Sequence, residues 1–258
     1  MRLGITCMAC FQADGKPSDE ATSVELRDDG LYTVTCSRGH VTVTAVQEQK
    51  FEILFDLGAM ALLDGYPREA VSSMAAALER FYEYYVQVVC LKQGIAYEAF
   101  IEAWKPVARQ SERQLGAFLF LYLLENKKPL ENSIVDARPS ESFGLKTRLT
   151  WTEFRNNAIH KGYIPSTEEV LVYGDLVYQF IYRLIQELRA ACLEFMQKAT
   201  FHHVKRGAYA SGGKQISTMG IPTLISLARA SGPGSSFREA LKGLEKYKRW
   251  LYHRAQPN

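Results

Sequence analysis

Long apolar runs are missing from this sequence. The most continuous one, Leu115–Leu124 (LGAFLFLYLL), is about half of what a bilayer-spanning helix requires. Glu125, Asn126, Lys127 and Lys128 follow it directly, so it reads as a buried helix. The opening residues, MRLGITCMAC, have no longer apolar segment of the signal-peptide kind, and the expected location is cytoplasmic, with no membrane partner. Cysteine is scarce: five in 258 residues do not make a disulfide framework. Internal repeats and heptad arrays are absent. A phosphate-binding loop is absent as well, because SGGKQIST lacks the G-x4-G-K-[ST] spacing and no strand precedes it, leaving Lys214 an ordinary loop lysine.

What is present is the composition of a folded protein. Apolar residues make up 47%, charged residues 23% and aromatics 12%, which excludes wholesale disorder. The length suffices for one large core or a main domain with smaller attachments. A net charge of +3 conceals an asymmetry. Residues 201–258 carry ten Lys/Arg against two Asp/Glu, whereas the first 200 carry 21 against 26. A basic tail on a mildly acidic body fits either contact with a polyanion such as RNA or a solvated helix face.

The first 46 residues have strand character. SVELR (23–27) and LYTVTC (31–36) alternate around Asp28-Asp29-Gly30, which predicts a hairpin, and VTVTA (41–45) predicts a third strand. From Gln47 onward the apolar spacing is helical. Helices are expected over 48–63, over 67 to about 91 with Pro67 in the first turn, and at roughly 96–105 and 111–126. Residues 127–149 read as a long loop. Thr150 with Glu153, and Ser166 with Glu169, form capping boxes that open a short helix to about Lys161 and a long one to about Lys198. Residues 207–220 are glycine-rich and loop-like, and a last helix is expected over 237–253. The expected organisation is a zinc-ribbon-like module at 1–46, a helical domain at 47–200 and a basic loop and helical extension at 201–258.

Cys7-x-x-Cys10 and Cys36-x-x-x-His40 are two chelating pairs around a short β segment. Zinc favours four tetrahedral sulfur and nitrogen ligands, and a site closed by four protein ligands leaves no position for a substrate water, so Zn²⁺ is expected in a structural role. Cys90 and Cys192 fall on apolar helical faces and read as core residues.

The short helix holds RNNAIHKG (155–162). Arg155 and His160 are separated by about 140° of helix rotation, so they are not automatic neighbours. A plain polar C-terminal cap would also account for His160, Lys161 and Gly162. Farther on, FHHVKR (201–206) sets His202 and His203 beside Lys205 and Arg206, either as a polar helix end or as a phosphate-binding patch. The last helix interleaves Lys246 and Arg249 with Tyr247, Trp250 and Tyr252, a mixture suited to single-stranded RNA or to docking of an amphipathic face.

The Arg-x4-His spacing with Asn156 directly after the arginine, preceded by the aromatic-rich helix YPREAVSSMAAALERFYEYYVQVV (66–89) with Glu79 off its apolar face, resembles the HEPN superfamily (higher eukaryotes and prokaryotes nucleotide-binding domains). The resemblance covers about residues 48–200. It implies a mainly α fold: a HEPN-like helical bundle, with the β zinc ribbon before it and the basic helical extension after it. It also implies a homodimer that cleaves RNA without metal catalysis, to a 2′,3′-cyclic phosphate and a 5′-OH, with Arg155 and His160 as the active pair and Asn156 orienting the phosphate or the histidine. Lys161, Lys205, Arg206, Lys246 and Arg249 are the expected RNA contacts. Roles as a toxin or antiviral defence effector, with an antitoxin or defence-complex partner, follow by the same analogy. A tyrosine two residues beyond the histidine occurs in some HEPN toxins; here Tyr163 stands three residues beyond. The rival readings are a non-catalytic RNA- or protein-binding HEPN module and a zinc-dependent DNA-binding regulator.

Overall fold

A computed structural model describes residues 2–16, 20–131, 149–210, 216–229 and 236–254, with the side chains of 206–210 and 247–254 outside the description. Most of the expected loop at 127–149 and Lys214 lie outside the described residues. The protein is mainly helical with a small β region near its N-terminus. The elements are β1 (Arg2–Thr6), α1 (Met8–Asp14), β2 (Ala21–Glu25), β3 (Leu31–Thr35), β4 (Val41–Val46), α2 (Lys50–Leu63), α3 (Pro67–Lys92), α4 (Tyr97–Val107), α5 (Ser111–Asn126), α6 (Trp151–His160), α7 (Thr167–Ala210), β5 (Ile216–Met219) and α8 (Phe237–Arg254). Two compact units divide the chain: residues 1–49, 200–222 and 243–258 form one, residues 50–199 and 223–242 the other. The basic stretch 201–258 is therefore distributed over both. No described helix is long and apolar enough to cross a membrane.

The first unit departs from the expected hairpin. β2 pairs antiparallel with β1, Leu3 opposite Val24, and β3 pairs antiparallel with β4, Val34 opposite Thr42. Asp28-Asp29-Gly30 therefore links two separate sheets. Asp29 shapes that link locally, its carboxylate accepting from the Leu31 N–H at 3.1 Å and from the Arg27 guanidinium, while Gly30 takes φ 64°. The expected loop at 207–220 is also corrected. Its last residues form β5, parallel to β4 with Ile216 opposite Val43, and the backbone before it stays helical to Ala210. Gln47 N–H donates to Met219 O at 3.0 Å, and Ser217 Oγ donates to Val43 O at 3.1 Å, closing the three-stranded sheet. A short helix, α1, was not expected between Cys7 and Gly15.

The second unit is built around α3. Val71, Met74, Ala75, Leu78, Phe81, Tyr82, Tyr85 and Val89, the predicted inner stripe, are all buried. Tyr82 stacks on Phe118 of α5 at 4.6 Å between ring centroids, and Tyr85 meets the same ring edge-on at 5.0 Å. α2 lies close to α3 because Gly58 has no side chain: a Cβ there would approach Met74 Cγ to 2.8 Å and Ala70 O to 3.0 Å. α7 begins with its Ser166/Glu169 box formed and passes a kink at Cys192 (φ −139°, ψ 21°).

An irregular segment, residues 223–229, is fastened by buried carboxylates on α2. Asp56 accepts the Leu224 N–H at 2.9 Å and Glu52 accepts the Leu227 N–H at 2.8 Å. Tyr182 and Arg189 of α7 donate to the carbonyls of Leu224 and Leu227. At the start of α8, Phe237 packs over Gly174, where an added Cβ would stand 2.5 Å from the ring's Cε1. Gly174→Ala is therefore expected to destabilise the protein by about 1–3 kcal/mol through overpacking, despite alanine's better helix propensity. Thermal denaturation followed by circular dichroism measures this, and an unchanged or higher midpoint would refute the tight packing.

Candidate functional site

In the first unit, local structure brings four chelating side chains together. Cys7 is the residue before α1 and Cys10 lies in its first turn. Cys36 and His40 flank the β3–β4 turn, which is closed by Cys36 N–H to His40 O at 3.1 Å and Gly39 N–H to Cys36 O at 2.9 Å, with Gly39 at φ 79°. All four ligand atoms lie within 4.8 Å of one another. Cys10 Sγ is 3.8 Å from Cys36 Sγ and 3.3 Å from His40 Nδ1, and Cys7 Sγ is 3.9 Å from the same nitrogen. A tetrahedral ion with ordinary zinc bond lengths needs about 3.8 Å between sulfurs and about 3.6 Å between sulfur and nitrogen. The arrangement can therefore hold a metal ion. The two halves of the site are also joined by the Arg38–Asp14 ion pair at 2.8 Å.

The cysteines differ electrostatically. Burial and the neighbouring Cys7 and Cys36 thiols push the Cys10 thiol up to about 11. Burial acts in the same direction on Cys36, but the backbone N–H groups of His40 and Arg38 aimed at its sulfur, with the Cys7 and Cys10 thiols, bring it down to about 7. N–H groups aimed at a sulfur stabilise a thiolate, which is the form that binds metal. Cys192 is buried as expected and Cys90 half-buried, and both thiols are raised by burial.

The second unit places the Arg–His segment on α6. The Thr150/Glu153 capping box opens the helix in both directions, and the turn after it closes through Lys161 N–H and Tyr163 N–H on Asn157 O, each at 3.1 Å, with Gly162 at φ 72°. Arg155, in the middle of α6, is half-buried. Its Nη2 pairs with Glu79 Oε1 of α3 at 2.6 Å and its Nη1 donates to Asn156 Oδ1 at 2.8 Å. The guanidinium is thus oriented by one carboxylate and one amide, with its remaining N–H groups uncommitted to either.

His160, the last residue of α6, is exposed and makes no hydrogen bond or ion pair among the described residues. Within one chain, the structure brings Arg155, Asn156 and Glu79 together but does not join His160 to them. Arg68 is a neighbour the sequence did not announce. From the first turn of α3 it donates to Ala158 O at 2.8 Å and Ile159 O at 3.1 Å, fixing the turn that carries His160. Tyr163 donates to Glu169 at 2.8 Å, and that contact, with burial, raises its phenol. A cleft of about 90 Å³ opens beside Arg155 and Glu79, bounded by side chains of α3, α5, α6 and α7.

Of the expected RNA contacts, Lys161 belongs to the second unit and the other four to the first. Lys161, Lys205 and Lys246 are exposed, while the side chains of Arg206 and Arg249 lie outside the described residues. The polar helix end expected at 201–206 is instead inside α7, where His203 Nε2 lies 3.3 Å from Val46 O.

Comparison with protein-family models, curated proteins and solved structures finds no match to this chain.

Proposed function

We propose that this chain is a metal-independent endoribonuclease of the HEPN type, stabilised by a structural Zn²⁺ on Cys7, Cys10, Cys36 and His40. The observation that carries the reading is the half-buried Arg155, oriented by Glu79 and Asn156, on a ten-residue helix that ends in an exposed His160. Arginine stays charged and presents a planar fork of donors to the equatorial oxygens of a pentavalent phosphate. Histidine can take the proton from a ribose 2′-OH or return one to the departing 5′-oxygen. The oxygen of the 2′-OH attacks phosphorus as the bond to the 5′-oxygen breaks, giving a 2′,3′-cyclic phosphate and a 5′-OH. A homodimer would let Arg155 of one protomer and His160 of its partner meet one phosphodiester, which suits a histidine without a partner among the described residues of its own chain. Lys161 would bear a flanking phosphate, and Lys205, Arg206, Lys246 and Arg249 of the first unit would be further RNA contacts. Such cleavage fits a toxin or antiviral defence effector kept in check by a partner protein. The zinc ion would supply folding energy and no chemistry.

The Glu79–Arg155 ion pair also favours a second reading. An arginine already satisfied by a carboxylate is a scaffold element, as in a non-catalytic RNA- or protein-binding module. A chimeric RNA separates the two. The zinc-loaded protein, without added divalent cations, is expected to cleave single-stranded RNA to cyclic-phosphate ends and to leave uncut any linkage whose 5′-side ribose is 2′-deoxy. RNA recovered whole, or cut equally at the deoxy linkage, would overturn the nuclease reading.

A further inference from the structure

The cleft beside Arg155 has an interior chemistry that the proposed cleavage step does not use. Its lining includes apolar Ala75, Leu78 and Leu115 and three aromatic residues, Tyr82, Trp151 and Tyr173. These rings are held by their own packing. Tyr82 stacks on Phe118 at 4.6 Å, and Tyr173 lies 5.8 Å from Trp151 and 5.6 Å from Phe154 between centroids. Tyr82 and Tyr173 are only 4% and 3% exposed, yet neither hydroxyl has a hydrogen-bond partner among the described residues. The Trp151 indole N–H likewise has none among them. Polar atoms that line an open cleft without partners among the described residues are available to whatever enters it.

The occupant can be bounded. Burial raises both phenols, so they remain neutral donors and acceptors at any physiological pH. Among the lining residues, Glu79 and the exposed Glu112 oppose entry of a phosphate, while Arg155 attracts one. A space of about 90 Å³, about three waters by their share of the liquid, suits one small flat ring better than a fused pair. A neutral, flat, hydrogen-bonding ring would thus lie inside with its phosphate outside, against Arg155.

We infer that the cleft between α3, α5, α6 and α7 is a nucleobase site for a single-ring base, taken from an RNA strand whose phosphate lies against Arg155. This rests on the ribonuclease reading for its substrate, but not on cleavage occurring. The chemistry it recognises, a pyrimidine base, could be presented by a strand or by a free nucleotide.

Binding is the test, using the full chain with His160→Ala so that cleavage does not intervene. Labelled pentauridylate, an abasic ribose-phosphate strand of equal length, and pentaadenylate are titrated by fluorescence anisotropy, and uridine monophosphate by saturation-transfer NMR. Pentauridylate is expected to bind more tightly than the other two strands. Tyr82→Phe and Tyr173→Phe, which keep the rings, are each expected to weaken pentauridylate about fivefold while leaving the abasic strand unchanged. Ser111→Trp, at a half-buried lining position, should block the same increment by filling the cleft. Uridine monophosphate binding that is lost in the same variants, without strand discrimination, would support the site with a free nucleotide as its source. Equal binding of base-bearing and abasic strands, indifferent to all three variants and with no uridine monophosphate bound, would overturn the inference even if the wild-type protein cleaves RNA. Pentaadenylate bound as tightly and through the same hydroxyls would overturn the single-ring assignment. Uridine discrimination in a protein that leaves RNA intact would retain the base site and dispose of the nuclease.

Discussion

His160→Ala is expected to lower RNA cleavage by about 10²–10⁴-fold, the usual contribution of a positioned general acid or base. The same change should leave thermal stability within about 0.5 kcal/mol, because an exposed side chain without a partner among the described residues leaves neither a cavity nor an unpaired charge. That separation makes His160 the more informative half of the pair. Arg155→Ala should abolish cleavage too, but it also strands Glu79, so a loss of activity there mixes chemistry with local structure. Arg155→Lys resolves the ambiguity. It keeps a cation near Glu79 yet removes the planar fork, and cleavage should fall severely while the melting temperature stays near that of the parent. Rates from single-turnover cleavage, set beside denaturation curves, decide the matter. A His160→Ala protein as active as the parent would remove the histidine from the mechanism.

Loss of the metal should have the largest effect on folding. Structural zinc in small Cys/His modules contributes about 10–16 kcal/mol of apparent binding free energy at neutral pH. Cys10→Ser, or exhaustive chelation, is therefore expected to unfold the β1–β4 region. On the proposed reading, metal bonds would add to the buried Leu3, Ile5, Tyr32 and Val34 in holding this region together. Elemental analysis should find one zinc per chain. Cobalt substitution should produce the intense visible bands of a tetrahedral thiolate site, absent in Cys10→Ser. The helices around α3 should persist, since no other metal-ligand group occurs among the described residues. A protein that purifies without zinc and whose hairpin amide signals ignore chelator would show the four residues to be mere neighbours.

Local chemistry made much of this protein readable. Pro67 in the first turn and the stripe from Val71 to Val89 specified α3. The capping boxes at Thr150/Glu153, Ser166/Glu169 and Ser236/Glu239 are all formed, because each needs only residues three apart. The ligand spacing of the Cys/His cluster was legible for the same reason. What could not be read depends on partners far along the chain. β5 is a four-residue strand whose reason to be extended is β4, about 170 residues earlier, and its own sequence says little. Asp28-Asp29-Gly30 has hairpin chemistry, but the choice between a hairpin and a link between sheets was made by β1, which pairs with β2 over all five of its residues. At the candidate site, residue types and Glu79 were visible in the pattern. The ion pair that orients Arg155 and the Arg68 clamp under His160 required the three-dimensional packing of α3 against α6.

The carboxylates of α2 have an evolutionary consequence. Glu52 and Asp56 grip residues 223–229 by peptide N–H groups, which nearly every amino acid supplies alike. At Leu224 and Leu227 the mooring is thus indifferent to side-chain identity. Proline alone, having no N–H to offer, would cast it off.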